Sequence, residues 1–213
     1  GNFIPFDSFN NIKHLYKFAK ENNVKWLYNE ACLDHEAGTA FTFLKGYLQS
    51  KLGWKTDLDV ECLEKKFFAA MYGSQKDRMY SVYKDMKAYC KRQTEEEGFP
   101  RFHGSRELFY PGRWDKDVMQ SMYDRMVKAE NALVANGEYK EARHVQNEQI
   151  YPLGVLVRCF RDDYTRKEHI EMLEKLRRYL FEFGFVTLGC GEIGWVPRFF
   201  EMLGIDKNKI WKK

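Results

Sequence analysis

From Gly38 to Phe183 one pattern recurs: apolar residues three or four apart, in stretches closed off by capping residues and glycines. That period belongs to amphipathic helices, since strands alternate every second residue. Phe41, Leu44, Leu48 and Leu52 share one face of a helix predicted over Gly38–Leu52. Asp57 or Asp59 caps the next helix, which runs to about Tyr72 and stops at Gly73-Ser74. Leu44, Leu48, Leu63 and Phe67 lie on the facing sides of these two helices and are predicted core. Residues 75–97 spell a long amphipathic helix carrying Met79, Val82, Tyr83, Met86 and Tyr89 or Cys90. Asp115 caps a helix to about Asn136, and Gly137 breaks it. Glu138 to Phe160 gives another, which Pro152 is expected to kink or to end near Tyr151. Thr165 and Glu168 form a capping box for a helix to Phe183, closed by Gly184. A short helix follows from about Pro197. The fold class is mainly α: six or seven helices packed as a bundle, about two-thirds of the chain.

The N-terminal part departs from this pattern. Asp7 or Ser8 caps a helix to about Asn22, and Asn22-Asn23 can stop it, because Asn tolerates the left-handed conformation. Val24 to Tyr28 then reads as a short strand, rich in β-branched and aromatic residues. It opens into Asn29, Glu30, Asp34, His35 and Glu36. Acidic residues at the C-terminal end of a strand are where α/β barrels place their chemistry. The helices that follow leave no room for a barrel, so the chain is expected to be the tail of an enzyme. Gly1 leads straight into the sequence with no Met, as after removal of a tag. We therefore expect a piece of a longer protein, with any signal peptide lost along with the missing part.

Composition narrows the classes. Hydrophobic residues make up 44% and aromatics 16%, enough to build a core and to exclude disorder. The net charge of +4 is too mild and too dispersed for a dedicated nucleic-acid binder. No apolar run is long enough to span a bilayer, so no membrane partner is expected. Cys32, Cys62, Cys90, Cys159 and Cys190 are widely spaced, with no C-x-x-C. They read as reduced, mostly buried thiols, neither a disulfide framework nor a metal site.

Residues 20–80 carry a more specific signal. Asn23-Val24-Lys25-Trp26-Leu27-Tyr28-Asn29-Glu30-Ala31 stands where one family has a strand of the type G-V-K-G-V-F-x-Q-G. Glu36 precedes a helix filled by Phe43 to Trp54, Asp57-Leu58-Asp59 makes a D-x-D turn, and Phe67 to Gly73 closes the second helix. Ala142 to Gln146, leading into Tyr151-Pro152-Leu153, is similar to a later A-R-I-E helix. In these motifs the chain resembles a family of bacterial proteins with a glycoside-hydrolase-like domain, domain of unknown function 4838. The family's Gln-Gly after the strand is Glu30-Ala31 here. The resemblance implies a parent with a TIM-like barrel acting on glycosides. Residues 1–36 would be the remnant of its last barrel helix and strand, one or two strand remnants in all, and 37–213 a helical C-terminal domain. Its partners would be a carbohydrate and the remainder of the parent polypeptide. A self-standing helical module for protein interaction or assembly is the alternative.

Glycosidases usually set two carboxyls across the scissile bond, ~5 to 9.5 Å apart. Glu30 is the candidate catalytic carboxyl, and Asp34 and Glu36 are candidate substrate-binding acids. The competing reading is that they are solvated loop acids or caps. Three neighbouring loop residues rarely ligate one ion, so His35 between acids does not make a metal site. Trp26, Tyr28, Trp54, Trp114 and Trp195 could stack on sugar rings. Trp26 and Trp54 read as core, whereas Trp114, in the aromatic loop Gly98–Trp114, is the candidate substrate-binding ring. That loop is expected to be ordered and packed. Its Arg101, His103, Arg106 and Arg113 read as a solvated basic face. Gly189 to Gly194 has the letters of a phosphate loop without the strand–helix unit around it, and reads as a turn. No cofactor is expected. Cys190 has no base assigned to it as a nucleophile.

Overall fold

The computed structural model describes residues 8–28, 39–95, 112–185 and 200–201. Their order is α1 (Phe9–Glu21), α2 (Thr42–Trp54), α3 (Val60–Tyr72), a 3-10 turn (Gly73–Gln75), α4 (Lys76–Glu95), α5 (Lys116–Ala135), α6 (Tyr139–Cys159), a second 3-10 turn (Arg161–Asp163) and α7 (Arg166–Glu182). The fold is mainly α, a multi-helix bundle. No described helix is long and apolar enough to cross a membrane.

Local chemistry sets most helix ends. The Asp59 carboxylate accepts from the N–H groups of Glu61 and Cys62, at 2.9 and 3.3 Å. Asp115 does the same for Asp117 and Val118. Thr165 and Glu168 form the reciprocal capping box. Each such cap contributes about 1 kcal/mol. At the far ends, α1 stops with Asn23 in the left-handed region, φ 54°. There Val24 N–H donates to Ala19 O and Asn23 N–H to Lys20 O, which is a Schellman closure. The turn from α5 to α6 closes in the same way, with Gly137 at φ 77°.

Helix α6 is the centre of the bundle, packed between α3, α5 and α7. Every residue from 147 to 157 is buried. A helix apolar on all sides is a core helix. It continues through Pro152 to Cys159, so the expected stop near Tyr151 does not occur. Proline withholds an N–H from the Glu148 carbonyl, a cost of about 3 kcal/mol. Burial of Ile150, Leu153, Val155, Leu156 and Val157, at about 1.5–3 kcal/mol each, exceeds it. His169 Nε2 lies 3.0 Å from Val157 O and ties α7 to the end of α6.

Rings from α3, from α4 and from Phe41, just before α2, gather around Phe68. Its centroid lies 5.6 Å from Phe41, 5.2 Å from Tyr72, 5.1 Å from Tyr80 and 5.3 Å from Tyr83. Phe9 of α1 sits edge-on to Tyr83 at 4.9 Å, so α1 shares this core. Leu44 and Leu48 are fully buried, and Leu63 and Phe67 are 7% and 8% exposed, as the helical face predicts. Leu48→Ala is expected to cost about 2 to 5 kcal/mol. An unchanged urea midpoint would refute its place in the core.

Several expectations need correction. Residues 24–28 have no regular secondary structure, and no strand exists among the described residues. The expected barrel-strand remnant is therefore absent there: a strand requires a partner ladder, and none is supplied. Helix α2 begins at Thr42, not Gly38, because Phe41 is left-handed at φ 56° and cannot continue a helix. Cys62 is exposed, and Cys90 and Cys159 are half-buried free thiols. Cys32, Cys190, residues 98–111 of the aromatic loop and most of the C-terminal tail lie outside the described residues.

Candidate functional site

Glu30, Asp34 and Glu36 lie outside the described residues. The chain that follows them is anchored firmly. Thr39 N–H donates to Thr42 Oγ1 at 2.8 Å, and Lys45 Nζ donates to Thr39 Oγ1 at 2.6 Å. Phe41 N–H donates to Glu148 Oε2 at 2.7 Å, reaching across to α6. Tyr72 of α3 donates its hydroxyl to Glu148 Oε1 at 3.3 Å. Glu148 is 2% exposed. Burial pushes its carboxyl up to about 7, against the lowering effects of the Phe41 N–H, the Tyr72 hydroxyl and the Lys45 ammonium. Burial, with Glu148 nearby, raises Tyr72 and Tyr151 well above the usual tyrosine range.

Two other acids are held between helices. Glu64 accepts from Tyr83 at 2.6 Å and from Tyr80 at 3.1 Å, with Lys87 Nζ at 3.6 Å. Glu130 accepts from the amides of Gln146 and Gln149 at 2.7 and 2.6 Å. Lys175 lies over the Tyr123 and Tyr179 rings beside Glu130, and burial lowers its ammonium pKa. Each acid is satisfied by hydroxyl, amide or ammonium groups in its own helix interface. That is structural wiring and not a poised acid–base pair. No cluster of His, Cys, Asp and Glu among the described residues could hold a metal ion.

The open site lies elsewhere. Tyr16 of α1 packs against Gly53, where an added Cβ would stand 3.4 Å from the Tyr16 ring. This close approach brings the C-terminal end of α2 beside that of α1. The Asn23 turn then sends residues 24–27 past both ends. Between them opens a cleft of about 980 Å³. Trp26 and Trp54 line it, and they are 92% and 93% exposed. Gln49, Ser50 and Asp57 add polar groups.

Both rings read as core from sequence, and the structure corrects this. Trp54 lies about 200° round α2 from Leu52 at 3.6 residues per turn. It therefore points away from the face of Leu44, Leu48 and Leu52. Trp26 lacks the strand that would have carried it inward. The angular position of Trp54 was the signal available in the sequence. Trp114, the candidate substrate-binding ring, is 4% exposed and stacks on Tyr89 with centroids 6.2 Å apart. The Tyr89 hydroxyl donates to Arg113 O and accepts from Asp115 N–H, which seats the start of α5. Arg113 is 7% exposed, so it does not belong to a solvated basic face. The buried acids Glu64 and Glu148 and the half-buried Glu130 were missed because their partners lie on other helices.

A family model described as a domain of unknown function (DUF4838) matches residues 2–85. The match contains the whole Trp26–Trp54 cleft. No curated protein and no solved structure matches the chain.

Proposed function

We propose that this chain is the helical C-terminal part of a carbohydrate-active, glycoside-hydrolase-like enzyme, and that its own task is to hold sugar and not to cleave it. The observation that carries the reading is the pair of open indole rings, Trp26 and Trp54, on one cleft. Neighbouring exposed aromatics on a concave surface mark binding sites. An indole face suits the apolar face of a sugar ring, and Gln49, Ser50 and Asp57 can bond its hydroxyls. The resemblance of residues 20–80 to a glycoside-hydrolase-like family supports the same class. Glu30, Asp34 and Glu36 are then acids at the edge of the parent's catalytic site. A barrel site draws on several strand ends, so the chain alone should not turn over glycosides.

A second reading has its own support. Leu15, Phe18 and Phe43 are also 44–62% exposed on α1 and α2. Such a surface suits a helical interaction or assembly module, or contact with the remainder of the parent polypeptide. Tryptophan emission separates the two. Titration with neutral and acidic oligosaccharides is expected to shift the emission, and Trp26→Ala with Trp54→Ala should abolish the shift. No hydrolysis of aryl glycosides is expected. Emission indifferent to every oligosaccharide, with self-association through α1, would favour the interaction module. Turnover lost in Glu30→Gln would make Glu30 catalytic and overturn the binding-only role.

A further inference from the structure

We infer that the Trp26–Trp54 cleft selects an acidic saccharide, one bearing carboxylate or sulfate groups along its chain. The inference rests on the sugar-binding reading above and adds the charge of the ligand. Lys20, Lys25 and Lys55 line the cleft with one acid, Asp57. Several lysines elsewhere are paired, among them Lys17 with Glu21, Lys65 with Glu61, Lys91 with Glu95 and Lys116 with Asp163. Among the described residues, none of the three cleft lysines forms an ion pair, and no cation lies over Trp26 or Trp54. Three ammonium groups and two ring faces are thus left open to the same space.

The helix ends oppose this charge. The C-terminal ends of α1 and α2 border the cleft, and each carries roughly half a negative charge. With Asp57 they offset about two of the three lysine charges. The carbonyls at the end of α1 are engaged by Val24 and Asn23 N–H groups, which blunts its share. Long lysine side chains also carry their charge beyond the helix ends, to where a ligand lying on the rings would place its acid groups. Among the described lining residues, three lysines stand against the single carboxylate of Asp57. Rings select the sugar, and the lysines select a sugar carrying negative charge at intervals.

Isothermal titration of the whole chain tests this with four probes: hexagalacturonate, a sulfated galacto-oligosaccharide of similar length, neutral cellohexaose, and single-stranded oligothymidylate. At least one acidic saccharide should bind about tenfold or more tightly than cellohexaose, and the two acidic probes tell carboxylate from sulfate. The preference should shrink as salt rises, because exposed charges are screened. Lys25→Ala with Lys55→Ala should weaken acidic-sugar binding about tenfold, roughly threefold to fivefold for each exposed pair lost. Cellohexaose binding should weaken far less, since it loses no charge pair. All these side chains lie on the surface, and unchanged circular dichroism of the variants confirms their fold. Equal affinity for cellohexaose and the acidic probes overturns the charge inference and leaves the sugar reading standing. Oligothymidylate binding as tightly as the acidic sugars, and surviving Trp26→Ala with Trp54→Ala, overturns it in favour of a bare polyanion surface. Absence of binding by any saccharide overturns both.

Discussion

Phe68→Ala is expected to be the most destabilising single replacement, at about 3 to 5 kcal/mol. Phe68 is 1% exposed and meets the rings of Phe41, Tyr72, Tyr80 and Tyr83, each with centroids within 6 Å. These neighbours come from α3 itself, from α4 and from the residue before α2. Two of them also wire the buried acids, Tyr72 to Glu148 and Tyr83 to Glu64. Removing the ring therefore opens a cavity and loosens two hydrogen-bonded acids. A domain of this kind has about 5 to 15 kcal/mol in total, so the loss is a large share of it. Phe68→Leu refills most of the volume and should recover most of the midpoint in urea. A loss below about 1 kcal/mol for Phe68→Ala would contradict the central place given to this ring.

Stability should also depend on pH through Glu148, and the sign is unusual for a carboxylate. Burial raises its folded value from the ordinary 4.5 to about 7. Between these values the folded protein holds a proton that the unfolded chain has released. The stabilisation is therefore full below about 4.5 and is lost as pH rises through about 7. Its size is on the order of 3 kcal/mol. The groups that face Glu148 are Lys45 and the Phe41 N–H from the start of α2, Tyr72 from α3, and Tyr151 on its own helix. None of these three side chains carries negative charge in this window. Glu148→Gln keeps an acceptor for the Phe41 N–H and never ionises. It should flatten the fall in stability between pH 5 and 8, and match or exceed the native chain at pH 8. Glu148→Ala should be less stable at both pH values, because two buried donors lose their acceptor, at about 1–3 kcal/mol each. Urea midpoints at pH 5 and pH 8 decide it. A Glu148→Gln variant that loses more at pH 8 than at pH 5 would show that the carboxylate is paired, not strained.

The contrast between what was legible and what was not follows the range of the interactions. Asp59, Asp115 and the Thr165–Glu168 box bond to groups two or three residues away, so helix starts could be read directly. Asn23 and Gly137 close their helices with equally local bonds. The start of α2 could not be read this way. Phe41 is held left-handed by Glu148, 107 residues on. The passage of α6 through Pro152 depends on helices packed round it from both directions in sequence. A strand over 24–28 fits its residue types, yet a strand exists only with a partner. The tryptophans carry the same lesson. Residue type says that each could be core or ligand platform, and position decides: Trp114 stacks inside on Tyr89, and Trp26 and Trp54 stand open. The acidic candidates Glu30, Asp34 and Glu36 fall outside the described residues, so the cleft was reached from the aromatic side.

The chain has five tryptophans, Trp26, Trp54, Trp114, Trp195 and Trp211. Each gives one indole N–H resonance in a nitrogen–proton correlation spectrum, assigned by single Trp→Phe variants. The most direct test of the cleft is to add hexagalacturonate and follow these five signals. The Trp26 and Trp54 resonances should move together along one saturating curve, with the Trp114 resonance fixed. A spectrum in which Trp114 moves while Trp26 and Trp54 stay in place would contradict the assignment of the sugar site to this cleft.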